Sequence, residues 1–157
     1  MAQGEFALVR QHLEAALNVS SSYVNAHELY SLLADAATQQ RDEAALRQYA
    51  PLAEELAARY SHTLYQAIAH RAWGVAHCLA GDYAESEGRL LNALELFEHL
   101  GTRWQIGRTW FELGELAKAQ KNMGKARDYF QRALSAFADM RAVPDEVRTR
   151  TMLESSG

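Results

Sequence analysis

Apolar side chains recur every three or four positions along almost the whole chain, in blocks of about 16 to 20 residues parted by short polar breaks. That period belongs to a helix with one buried face. The breaks fall at Ser20-Ser21-Ser22, Gln40-Arg41-Asp42, Ser61-His62, Gly81-Asp82, Gly101-Thr102, Lys121-Asn122 and Val143-Pro144. They predict helices over roughly 5–18, 21–39, 43–60, 62–80, 83–100, 102–120, 123–140 and 144–154. Gly81 and Gly101 suit the left-handed residue that ends a helix, and Ser61, Asp82, Thr102 and Asn122 suit the cap of the next. Breaks this short make consecutive helices antiparallel neighbours. No period-two alternation is sustained, so the fold class is all-α. Pro51 opposes the scheme, because it removes a backbone donor inside the 43–60 helix; a kink there is the expectation.

The pattern also repeats. Residues 67–99 and 107–139 align at a constant offset of 40 without gaps, placing Gly74 on Gly114, Asp82 on Asn122, Ala93 on Ala133, Leu94 on Leu134 and Phe97 on Phe137. A further step back brings Ala34, Asp42, Ala44 and Ala53 into register, with Tyr49 two steps before Tyr129. A unit recurring every 20–50 residues signals a solenoid, in which each unit buries its apolar face against the next. The expected organisation is one domain over 1–157, with units at about 22–60, 62–100 and 102–140 and flanking helices at 5–18 and 144–154. Leu33, Trp73, Leu90, Leu94, Trp110, Leu113, Phe130, Leu134 and Phe137 are its expected core.

The third unit carries Trp110-x2-Leu113-Gly114 in its first helix and Ala126-x3-Phe130-x2-Ala133 in its second. This spacing resembles the tetratricopeptide repeat. Gly114 and the two alanines suit a close helix approach, with Phe130 filling the space between. The second unit keeps Trp73-Gly74, Leu90 and Ala93 but has His70 for the family's Trp and Ser86 for its first Ala; the first keeps Tyr30, Leu33, Ala34 and Ala53. The family's Tyr after the Gly is replaced by Ala37, His77 and Ala117. The resemblance spans residues 27–140 and implies a right-handed superhelix of antiparallel helix pairs. The 40-residue step exceeds the usual 34, and such long repeats look like those of bacterial signalling ATPases, transcriptional activators and nucleotide cyclases.

By the same resemblance, first helices line a groove that binds an extended or helical segment of a partner protein. Carried over, the groove shows Glu28, Ser31, Asp35 and Thr38, then Ile68, Arg71, Val75 and Cys78, then Arg108, Phe111, Glu115 and Lys118. Arg71 and Arg108 beside Phe111 would receive an acidic, apolar-anchored stretch, and Glu28 with Asp35 a basic one. Ser31/Asp35, Arg71/Val75 and Phe111/Glu115 stand where some relatives carry a Lys/Asn carboxylate clamp, so a chaperone-tail receptor is not expected. The resemblance thus implies a protein-binding scaffold. The alternative is a sensor segment of a larger signalling protein.

Composition narrows the remaining classes. Apolar residues make up 48% and charged residues 23%, within the soluble range. The lone Cys78 excludes an internal disulfide. No basic-then-apolar leader opens the sequence and no run of eighteen apolar residues occurs, so a cytoplasmic protein without membrane attachment is expected. Residues 1–100 hold 6 basic and 13 acidic side chains, residues 101–157 hold 10 and 7. The basic end is interspersed with acids, which argues against nucleic acid as the partner. His70 and His77 lie seven apart, about 10.5 Å along a helix, too far to share a zinc ion; His70 reads as a packed core side chain. No phosphate loop, nucleophile elbow or metalloprotease motif occurs, and His77 points about 100° away from Cys78, so neither enzyme nor cofactor is expected. The helical pattern starts within about five residues of Met1, and no strongly polar capping helix is evident. Either a fragment or a homo-oligomer joined through its end helices fits that reading.

Overall fold

Helix lengths in this protein are set by a turn that recurs with little variation. The computed structural model describes residues 2–19 and 26–155. It contains α1 (Ala2–Val19), α2 (Ala26–Gln40), α3 (Glu43–Arg59), α4 (Thr63–Ala80), α5 (Tyr83–His99), α6 (Arg103–Ala119), α7 (Met123–Met140) and α8 (Val143–Glu154). The described residues form no strand. The Ser20-Ser21-Ser22 break and the expected start at 21 lie outside the described residues.

Arg41, Ser61, Gly81, Gly101, Lys121 and Arg141 all adopt a left-handed backbone, with φ between 52° and 86°. Directly after each of them, an amide reaches back to the helix it leaves: Asp42 to Ala37, His62 to Ala57, Asp82 to His77, Thr102 to Phe97, Asn122 to Ala117 and Ala142 to Phe137, at 2.9–3.1 Å. These bonds close the helix C-terminus, so the backbone supplies the cap and the side chain need not be glycine. Ser61, expected at the cap of the next helix, instead holds the left-handed turn, and His62 takes the cap position. Asp42 and Asn122 do cap, accepting from the Ala45 and Lys125 amides at 3.0 and 3.1 Å. The Asp82 side chain makes no cap bond, and the Thr102 hydroxyl donates to the Phe97 carbonyl. α3 runs unbroken through Pro51, whose missing amide falls on an exposed side of the helix.

The helices pack in sequence, each against the next, and α2 also packs against α4. From α2 onward, turns of two or three residues reverse the chain. Within the pairs, glycines admit the partner. A Cβ on Gly74 would lie 2.6 Å from Leu90, one on Gly114 2.6 Å from the Phe130 ring, and one on Gly107 2.8 Å from Phe137. The core is a chain of clusters rather than one mass, and Trp110, Ile106 and Tyr129 each join two of them. Leu33, Leu90, Leu94, Leu113, Phe130 and Phe137 are buried as expected. Trp73, Trp110 and Leu134 are only half-buried; the Trp73 indole donates to Glu54 at 2.8 Å, and Trp110 stacks on Tyr129 near the surface. Where α6 has Gly107, Trp110 and Gly114, α8 carries Val147, Arg150 and Glu154, and its Val143 and Val147 are exposed.

Gly114→Ala should therefore lower stability by about 1–3 kcal/mol in urea denaturation. Phe130→Leu should return part of that loss in the double mutant, because ring and methyl compete for one space. Phe130→Ala alone should cost about 3–5 kcal/mol.

Candidate functional site

The first helices of the pairs, α2, α4 and α6, contribute one stripe each to a shared face, and the structure shows how much of that face is open. Glu28 is exposed. Ser31 is buried, its hydroxyl donating to the His27 carbonyl at 2.7 Å, and Thr38 is buried with its hydroxyl on the Ala34 carbonyl at 2.9 Å. Ile68, Val75 and Cys78 are buried apolar positions. Arg71 is wholly buried, Arg108 is 7% exposed and Phe111 4%. Glu115 and Lys118 are half-buried.

Arg71 and Arg108 do meet, as adjacent repeats would place them, but not on an open surface. Both reach the same carboxylate: Arg71 Nη2 lies 2.8 Å from Asp35 Oδ1, and Arg108 Nη1 lies 2.8 Å from Asp35 Oδ2. Arg71 also donates to Gln105 Oε1 at 2.6 Å and to the Gln105 carbonyl at 3.3 Å, and its guanidinium lies 4.9 Å over the Phe97 ring. A second link runs parallel. Arg41, in the turn after α2, bonds Glu112 of α6 at 2.9 Å and approaches Glu115 at 3.7 Å. α2 is thus tied to α6 directly, over the top of α4. Arg71 and Arg108 are buried in that crossing, Ile68 packs with Ala93 and Phe97 of α5, and Ser31 is buried on α2, which corrects the expected exposure of all four. Phe111 is covered from the other side, with the Arg148 guanidinium of α8 4.3 Å above its ring.

Three acids and three arginines form this network, so its charges cancel. Burial alone would push the Asp35 carboxyl up; the guanidinium groups of Arg108 and Arg71 outweigh it and hold the group at about 2. Burial, with Arg108 close by, brings Arg71 down to about 10, so it stays charged at neutral pH. Burial lowers Arg41 as well, and Glu112 and Glu115 more than reverse it. Arg41, Gln105 and Glu112 were not read from the sequence. Arg41 sits in a break, and the only local hint for Glu112 is its place four residues after Arg108 on one helix face.

Between α6 and α8 a small cavity of about 10 Å³, room for about one water, is lined by Arg108, Phe111, Glu112, Asp145, Arg148 and Thr149. Trp104 stands beside it, 40% exposed, with its indole on Asp145 at 2.9 Å and the Arg108 guanidinium 4.7 Å from its ring. Lys118 reaches Ser155 Oγ at 3.2 Å.

The histidines lie apart from this face. His70 is half-buried against Arg89, 3.3 Å away, and burial together with that cation lowers its affinity for a proton. His77 stacks on Trp73 and His62 on Tyr65. Burial pushes the Cys78 thiol up, which disfavours the thiolate needed for nucleophilic chemistry. Among the described residues, no group of three His, Cys, Asp or Glu side chains is placed to hold a metal ion, and no helix is long and apolar enough to cross a membrane.

A family model described as tetratricopeptide repeat matches residues 65–139, from α4 through α7. The weaker pattern of residues 27–60 lies outside the match. No curated protein matches the chain.

Asp35→Asn should destabilise the fold at pH 7 by about 3–5 kcal/mol, since it leaves two buried guanidinium groups short of their counter-ion. The pH dependence tests the cause. Asp35 is ionised above about 2 in the folded state and above 3.8 when unfolded, so its contribution, about 2 kcal/mol, is complete above the unfolded value and lost as pH falls from there towards 2. Thermal melts from pH 5 to 2 should fall less steeply for Asp35→Asn than for wild type.

Proposed function

Residues 65–139 belong to the tetratricopeptide repeat family, and on that footing we propose that the chain is a protein-interaction module that recognises a segment of a partner on its first-helix face. Such repeats generally mediate protein–protein interaction and typically serve as non-enzymatic scaffolds. The single observation that carries the reading to this chain is the α2–α4–α6 face. Its charged side chains are held in fixed positions by the Asp35–Arg71–Arg108 and Arg41–Glu112 links. A surface whose side chains are already ordered loses less entropy on binding. Buried Arg71 and Arg108 act as its frame, with Glu115 held near Arg41, and the contact residues are those that remain accessible: Glu28 at one end, Trp104 and Lys118 at the other.

A photo-crosslinking amino acid placed at Glu28 or Lys118 should capture discrete proteins from the native lysate, identified by mass spectrometry. The same group at Leu91, an exposed position on α5, should capture few or none of them. Capture of the same proteins from Leu91, or of no protein from any position, would remove the support for this face.

A further inference from the structure

The uneven charge of the chain has a structural counterpart in its ion pairs. Every cation of residues 1–100 has a carboxylate partner: Arg10 with Asp42, Arg41 with Glu112, Arg47 with Glu43, Arg59 with Glu55, Arg71 with Asp35 and Arg89 with Glu54. Of the ten later cations only Arg108 and Lys125 have one among the described residues. The others are left over, and two of them, Lys118 and Arg148, stand along the seam between α6 and α8.

That seam is ordered along α6. Trp104, Phe111 and Lys118 are spaced by seven residues, two turns each, so they share one stripe about 21 Å long. Trp104 offers an exposed indole, Arg148 lies stacked over Phe111, and Lys118 follows beside Ser155. Of the nearby acids, Glu112 and Glu115 are paired with Arg41, while Asp145 accepts from the neutral Trp104 indole and keeps its charge. The stripe presents an aromatic surface at one end and, about 10 and 21 Å from it, two cations without an ion pair among the described residues. An extended chain advances about 3.3 Å per residue, so these intervals equal about three and six residues.

The geometry points to the α6–α8 seam as the docking site for an extended acidic segment of a partner protein, with an apolar side chain on Trp104 and carboxylates three and six residues further on at Arg148 and Lys118. This rests on the protein-interaction reading and names the partner chemistry and the residues that select it. Arg148 is placed for the role: its guanidinium lies 4.3 Å over the Phe111 ring in a cation–π contact, with no ion pair among the described residues to occupy its donors. A phosphate backbone is less suited, because it carries a charge at every step whereas the stripe offers cations at two points, Arg148 and Lys118.

The test uses a fluorescein-labelled heptapeptide with phenylalanine first, glutamates fourth and seventh, and alanine or serine between, read by fluorescence anisotropy. Wild type should bind it in the micromolar range, and added salt should weaken the complex. Arg148→Glu and Lys118→Glu should each reduce affinity about tenfold or more and Trp104→Ala several-fold. Arg127→Glu, which alters an exposed unpaired cation elsewhere on α7, should change nothing. Circular dichroism checks each fold, and Lys118→Glu carries the test should Arg148→Glu unfold. The proposal is overturned by no binding to wild type, by equal binding of the lysine-for-glutamate peptide, by equal loss in Arg127→Glu, or by tighter binding of a single-stranded oligonucleotide. If the heptapeptide fails while crosslinking at Lys118 still captures proteins, this seam chemistry falls and the protein-interaction reading stands.

Discussion

The architecture depends on one carboxylate held between two guanidinium groups. Burial pushes the carboxyl of Asp35 up when it stands alone, and Arg71 or Arg108 without a counter-ion is costly, since a lone buried charge is far less favourable than a paired one. Together they are satisfied only when α2, α4 and α6 stand at one set of distances, 2.8 Å on either side of the carboxylate. Apolar contacts between helices tolerate sliding by an ångström or more; this bridge does not. Its main effect is on which helix arrangement forms rather than on net stability, because desolvation offsets much of the attraction.

Helix positions were legible in the sequence because they depend on local features: apolar period, capping residues and short breaks. From α3 onward the expected boundaries fall within one residue of those observed. Left-handed turns at Arg41, Ser61, Lys121 and Arg141 were not legible, since nothing in those side chains asks for positive φ; the backbone bonds around them impose it. The first-helix face was legible as a set of positions and misread as to exposure. Whether Arg71 meets solvent depends on α2 and α6 approaching across α4, through side chains more than seventy positions apart. No window of sequence contains that information. Arg148 escaped notice for a related reason, as its partner is a ring on another helix.

Repetition here is of helix geometry rather than of residue type. At the crossing of the two helices in each pair stand Ala34 opposite Ala50, Gly74 opposite Leu90 and Gly114 opposite Phe130, all buried. Where the second-helix residue is large, Leu90 or Phe130, the first-helix residue is glycine, and where it is Ala50 the first-helix residue is alanine. This explains why the first unit looks weak when compared letter by letter although its helices pair in the same way. A slot shared between two side chains leaves each free to vary provided the other follows.

The ties from α2 to α6 also bear on how the chain reaches this structure. Where units touch only their neighbours, a repeat protein can fold and fray one unit at a time. Here Asp35 and Arg108 are separated by 73 positions, and Arg41 and Glu112 by 71. Forming those contacts closes a loop that encloses α3, α4 and α5, with an entropy cost that short-range helix pairing avoids. The middle helices are therefore enclosed on both sides by elements that must arrive together. Loss of α2 or of α6 breaks the same bonds, so the segment from α2 to α6 is bound to open as one unit rather than helix pair by helix pair.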